Sequence, residues 1–147
     1  MSPNWKGVLE TFHSCLIDEL LHRFPNSRPT LGMPIKFDAW QLENTAKFAT
    51  LCDISHAGSR GIAAVSFNDQ AYHSVGGGSS EHPHVFWNAC VHRCALELSR
   101  RQLKVTLSVP LQYKAGDAYP KNLIQPTRLI WIPIGIENQS FHLGIGI

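Results

Sequence analysis

The chain has 147 residues, 44% of them hydrophobic, a formal net charge of +2 and four cysteines, the size of one typical domain with enough length to bury a core. So small a charge argues against a nucleic-acid surface, and no apolar run approaches the ~20 residues of a membrane span. No basic stretch leading into an apolar segment opens the chain, so the expectation is a single cytoplasmic domain over residues 1–147, with neither membrane nor nucleic acid among its partners.

Trp5, Val8, Leu9, Phe12, Leu16, Leu20 and Phe24 recur at helical spacing and predict an amphipathic helix of about twenty residues, stopped by Pro25-Asn26-Ser27. Glu10 and His13 have the Glu-x-x-His spacing of a di-iron helix, but such a site needs a second copy and further carboxylates, which are absent; a solvated pair is the expectation. Residues 28–46 are irregular, with a short strand at Pro34 to Trp40. Lys47 to Ile54 and Gly61 to Asn68 read as antiparallel strands joined by Ser55-His56-Ala57-Gly58-Ser59-Arg60, whose glycines allow a tight hairpin. Asp69 to Val75 leaves room for no more than a short helix. Gly76-Gly77-Gly78-Ser79-Ser80 lacks the Gly-Lys-Ser/Thr ending of a phosphate loop and reads as a flexible linker.

A helix is predicted from Pro83, which suits a first turn, to about Arg101. Trp87, Cys90, Val91, Cys94 and Leu98 form its core-facing stripe. The opposite flank mixes Asn88, His92 and Ser99 with Val85, Ala89 and Leu96, so it either meets a partner or lies under another element of the domain. Arg100, Arg101 and Lys104 sit at the helix C-terminus, where cations offset the dipole. Cys15, Cys52, Cys90 and Cys94 fall inside predicted elements and read as reduced core residues. His82, His84 and His92, with His73, lack the spacing of a known ligand set, so no metal and no cofactor are expected; nor does residue order build a Ser/His/Asp or Cys/His arrangement.

A strand from Val105 towards Pro110 follows, and residues 111–126 read as a Gly- and Pro-punctuated loop. Arg128 to Ile136 is a strongly apolar strand in which Pro133 predicts an edge or a bulge. After a turn at Glu137 to Ser140, Phe141, Leu143, Ile145 and Ile147 alternate as a final half-buried strand. An apolar strand at an exposed edge invites a second copy, so a homodimer through an edge strand is expected.

From Asn88 the chain runs through His92 and apolar Cys94, Leu96 and Leu98 into Val105, Leu107 and Ser108-Val109-Pro110. This resembles the CheC/CheX group of bacterial chemotaxis proteins, whose signature helix carries Glu-x-x-Asn and leads into a strand ending in a Ser-x-Pro-like turn. Cys52 to Gly61 and the following Ile62-Ala63-Ala64-Val65-Ser66-Phe67 are similar to that group's Gly-rich hairpin and next strand. Together with the element order, the resemblance implies an α+β fold: an antiparallel or mixed sheet of about five to six strands with two main helices packed on one face. It also favours a homodimer. The activity it implies is removal of phosphate from a CheY-like response regulator, with Asn88 orienting the attacking water. The family's Glu, however, is Val85 here; His84 is one turn from Asn88 but is no equivalent acid. The resemblance therefore implies a non-catalytic or weakened binding module that meets the regulator through His84, Val85, Asn88 and His92, with an aspartyl-phosphate phosphatase as the alternative.

Overall fold

A computed structural model describes residues 4–44, 46–68, 71, 83–108, 111–137 and 139–147, without the side chains of Pro83, His84 and Val85. Helix α1, Trp5–Arg23, starts where Asn4 Oδ1 accepts the Gly7 N–H at 2.9 Å, which satisfies an amide with no partner inside the helix. It ends where the Phe24 N–H bonds the Leu20 carbonyl at 2.8 Å and Pro25 follows. Its Val8, Phe12, Cys15, Leu16 and Leu20 are at most 3% exposed.

The strands are β1 (Thr30–Leu31), β2 (Ile35–Phe37), β3 (Phe48–His56), β4 (Ser59–Phe67), β5 (Val105–Leu107), β6 (Leu111–Lys114), β7 (Leu129–Ile136) and β8 (Gln139–Gly146); helix α2, Pro83–Arg100, lies between β4 and β5. All strand pairs are antiparallel, in one eight-stranded sheet of order β1-β7-β8-β4-β3-β5, with β2 also on β7 and β6 also on β3. The sheet is thus six positions wide, because β1 and β2 share one edge and β5 and β6 the other. The expected width of five to six is met, and the additional strands are segments of two to four residues, too short to show an alternating pattern.

Three expectations are corrected in detail. The β3–β4 hairpin pairs without interruption from Phe48↔Phe67 to His56↔Ser59, so Ser55, His56, Ser59 and Arg60 are strand residues and only Ala57-Gly58 turns the chain. Residues 111–126 are not wholly loop, since β6 pairs Leu111↔Leu51 through Lys114↔Phe48. The last strand is not half-buried: β8 lies between β4 and β7 and is buried from Phe141 to Gly146, on both faces, so it offers no edge to a second copy.

Pro133 keeps its predicted meaning in a modified form. Its carbonyl accepts the Gly32 N–H at 3.0 Å on the outer side of β7. Within a strand the N and the carbonyl of one residue face the same side, so the missing N–H also points outward, at the break between the Leu31↔Ile134 and Ile35↔Trp131 pairs. No ladder bond to β8 is lost.

Both faces of the sheet are covered. On one, α1 and α2 pack over Cys52, Ile54, Ala63, Val65, Phe141 and Leu143. On the other, Trp40, Leu42, Tyr113 and Tyr119 cover Ala49, Leu51, Ile62, Ala64 and Trp131. That second layer explains why alternate residues of β8 are buried as well. The shortened helix and Gly/Ser linker expected after Asn68 lie outside the described residues, except Ala71, which is buried and donates its N–H to Asn68 Oδ1 at 2.8 Å. Among the described residues no helix is long and apolar enough to cross a membrane.

Candidate functional site

Helix α2 is held along its length. Its inward Trp87, Cys90, Val91, Cys94 and Leu98 are at most 8% exposed, and Trp87 stacks on Phe12 of α1, centroids 6.0 Å apart. Polar ties flank this apolar seam. Arg93 Nη2 donates to Glu19 Oε2 at 3.1 Å, and Arg23 Nε lies 3.9 Å from the same carboxylate. Arg101 Nη1 donates to Thr11 Oγ1 at 3.0 Å. Glu19 is only 6% exposed, a burial a carboxylate tolerates when paired.

The lower end of α2 is fixed by a histidine. His56 Nε2 accepts the Asn4 N–H at 3.0 Å, so its Nδ1 carries the hydrogen and donates to the Lys104 carbonyl at 2.8 Å. One imidazole thereby joins the start of α1, the end of β3 and the connection from α2 to β5. Arg100 and Arg101 both bond Glu97 Oε1, at 2.9 and 3.0 Å. The basic cluster seen in the sequence is therefore largely engaged within the fold.

The outer flank of α2 is open. Asn88, His92 and Ser99 are exposed, and Leu96 is 63% exposed. These residues follow one another at i, i+4, i+8 and i+11, one stripe of a helix. Of the two alternatives left by the sequence, burial under another element is not what the described residues show. Past Ser99 the stripe runs into a groove of about 590 Å³ lined by Ala95, Ser99, Gln102, Leu103, Lys104 and Val105. Gln102 turns the chain there with φ +62°, and nothing in the sequence pattern announced that groove.

Of the residues expected to meet a partner, Asn88 and His92 are brought onto this stripe. His84 and Val85 lie in the first turn of α2, and their side chains are outside the described residues, as are His73 and His82. Among the described residues no group of three or more His, Cys, Asp or Glu side chains is placed to hold a metal ion. The four cysteines are free and buried. Burial pushes the Cys52 thiol up to about 12 and raises Cys90 as well, while hydrogen bonding to Cys15 and burial raise Cys94, so these three are not activated nucleophiles. Asn88 brings an amide to the stripe, with two N–H donors and a carbonyl acceptor, enough to orient a water and insufficient to take its proton.

No family model matches the chain, and no curated protein does. Solved structures do match over nearly its whole length. A CheC-like superfamily protein from Shewanella sp. PV-4 is 13% identical, with a TM-score of 0.70 over 95% of this chain and 96% of that one. A chemotaxis protein CheX from Desulfovibrio desulfuricans is 14% identical, with a TM-score of 0.66 over 95% and 97%. The CheX–CheY–BeF3–Mg2+ complex from Borrelia burgdorferi matches with 8% identity and a TM-score of 0.62 over 93% and 95%. The chain has the α+β fold of CheC- and CheX-like chemotaxis proteins, with two helices on an antiparallel sheet.

Proposed function

We propose that this chain is one cytoplasmic CheX-like domain that docks a CheY-like response regulator on the outer face of α2, with little or no phosphatase activity of its own. The observation that carries the reading is the exposed stripe of Asn88, His92, Leu96 and Ser99 on a helix pinned to the core. A rigid face with one large exposed apolar side chain among polar groups suits a small protein interface. The solved complex of CheX with CheY on the same fold supports the choice of partner. His84 and Val85, in the first turn of the same helix, complete the docking surface in this reading.

Val85 separates docking from catalysis. Where the resembling family has Glu, an apolar side chain brings neither charge nor proton acceptor to the regulator's site. The exposed amide of Asn88 favours the second reading, a phosphatase that orients water through Asn88 alone. The two are separated by the decay of a phosphorylated CheY-like regulator with and without the chain and its Asn88→Ala variant. Docking predicts complex formation with unchanged decay. Catalysis predicts acceleration that disappears in Asn88→Ala, and absence of both binding and acceleration defeats either reading.

The proposed homodimer belongs to the β1–β2 edge, where Leu31 and Met33 are 60% and 85% exposed, the condition under which an edge strand recruits a second copy. Sedimentation equilibrium is expected to give a dimer for the natural chain and a monomer for Met33→Lys; a monomer for both removes the dimer.

A further inference from the structure

On the sheet face away from α1 and α2, a groove of about 410 Å³ is lined by Asp38, Trp40, Tyr119, Gln125, Pro126 and Thr127. Its two aromatic rings have centroids 5.4 Å apart and planes tilted by 44°. Both are set from behind. Trp40 packs edge-on against Tyr113 at 5.3 Å and at a 59° tilt against Trp131 at 5.7 Å. Trp131 is itself fixed by its indole N–H to the Gln41 carbonyl at 2.8 Å, and the Tyr119 hydroxyl donates to the Ile124 carbonyl at 2.5 Å. Burial and the nearby Asp53 carboxylate push the Tyr119 phenol up to about 12, so its ring stays neutral.

Aromatic faces carry negative potential and attract a cation lying against them. Asp38 adds a full negative charge, being exposed and in no ion pair among the described residues. The nearby Asp53 is engaged by Arg60 at 2.9 Å. A hard metal ion requires several oxygen ligands, whereas aromatic rings with one carboxylate suit a cation whose surface is methyl groups. Such a cation has weak hydration to lose and apolar area to place against the rings.

We propose that the groove binds a small alkylated ammonium compound of choline size, its cationic head against Trp40 and Tyr119 and its charge balanced by Asp38. The inference is independent of the α2 reading. The test is calorimetric titration of the full chain with choline, with its neutral isostere 3,3-dimethylbutanol, and with choline against Asp38→Asn, an exposed position whose thermal melt checks folding. Expected are saturable choline binding with Kd on the order of 1 mM, about tenfold weaker binding of the isostere, and about tenfold weaker choline binding by Asp38→Asn. No saturable choline binding, or equal affinity for choline and its neutral isostere, overturns the proposal; so does a folded Asp38→Asn that binds choline as the natural chain does. The isostere comparison uses the natural chain alone and stands whatever the variant does.

Discussion

His142 sits 5% exposed in β8, its Nε2 3.6 Å from Glu43 Oε2 and its Nδ1 buried without a hydrogen-bond partner. Burial lowers its pKa below 6.5, and the Glu43 charge opposes the shift without reversing it. The histidine is therefore neutral at pH 7, and its contact with Glu43 is not an ion pair there. When pH falls through about 6.5 the unfolded chain takes up this proton before the folded one does, so His142 lowers stability as the solution is acidified and contributes no such loss above that value. Proton NMR is expected to show the His142 ring titrating below 6.5 in the folded chain, with the urea midpoint falling from pH 7 to 5. A ring that titrates above 6.5 contradicts the assignment. Another residue-scale feature, the buried Glu19, was not read from the sequence, although it falls three residues after Leu16 beside the apolar stripe of α1, where a carboxylate must find a cation. Nor was its partner Arg93, because pairing across 74 positions leaves no local trace.

At the scale of elements, the long ones were readable and the short ones were not. Both helices have apolar positions at i, i+3 and i+4, and both ends of α1 carry stop or start residues, so their bounds fall within a residue or two of expectation. Segments such as β1, β2 and β6 exist because a longer neighbour supplies their hydrogen bonds, a fact no window of their own residues contains. The β3–β4 hairpin illustrates the same limit. Its turn was centred correctly but drawn six residues long, because the two-residue tightness follows from left-handed Ala57 and Gly58, φ +51° and +80°, the geometry of a type I′ turn. Alanine is strained in that region while asparagine and glycine tolerate it. Ala57→Asn is accordingly expected to stabilise the chain by about 0.5–1 kcal/mol in urea unfolding; a lower midpoint contradicts this turn assignment.

For the whole molecule, the order of elements together with the motif around Asn88 was sufficient to indicate a CheC/CheX-like arrangement, and the solved structures on that fold agree with it. The second face of the sheet escaped the sequence. Trp40, Leu42 and Tyr119 come from irregular segments and Tyr113 from the four-residue β6, far apart in the chain, so their convergence over Trp131 and Leu51 has no periodic signature. The site was half legible: helical spacing placed Asn88 and His92 on one flank of α2, but their exposure is a finding of the fold, and the groove beyond Ser99 depends on how the turn at Gln102 delivers β5. For docking of a regulator on this exposed face the decisive residue is Leu96, 63% exposed at the middle of the stripe. Leu96→Glu leaves the core untouched while placing a charge in the interface centre. The most direct measurement is the affinity of a beryllofluoride-activated CheY-like regulator for the natural chain and for Leu96→Glu. Expected is saturable binding that weakens at least about tenfold in the variant, the cost of a charge in an apolar contact. Equal binding by a folded Leu96→Glu, or no binding by the natural chain, would contradict docking on this face.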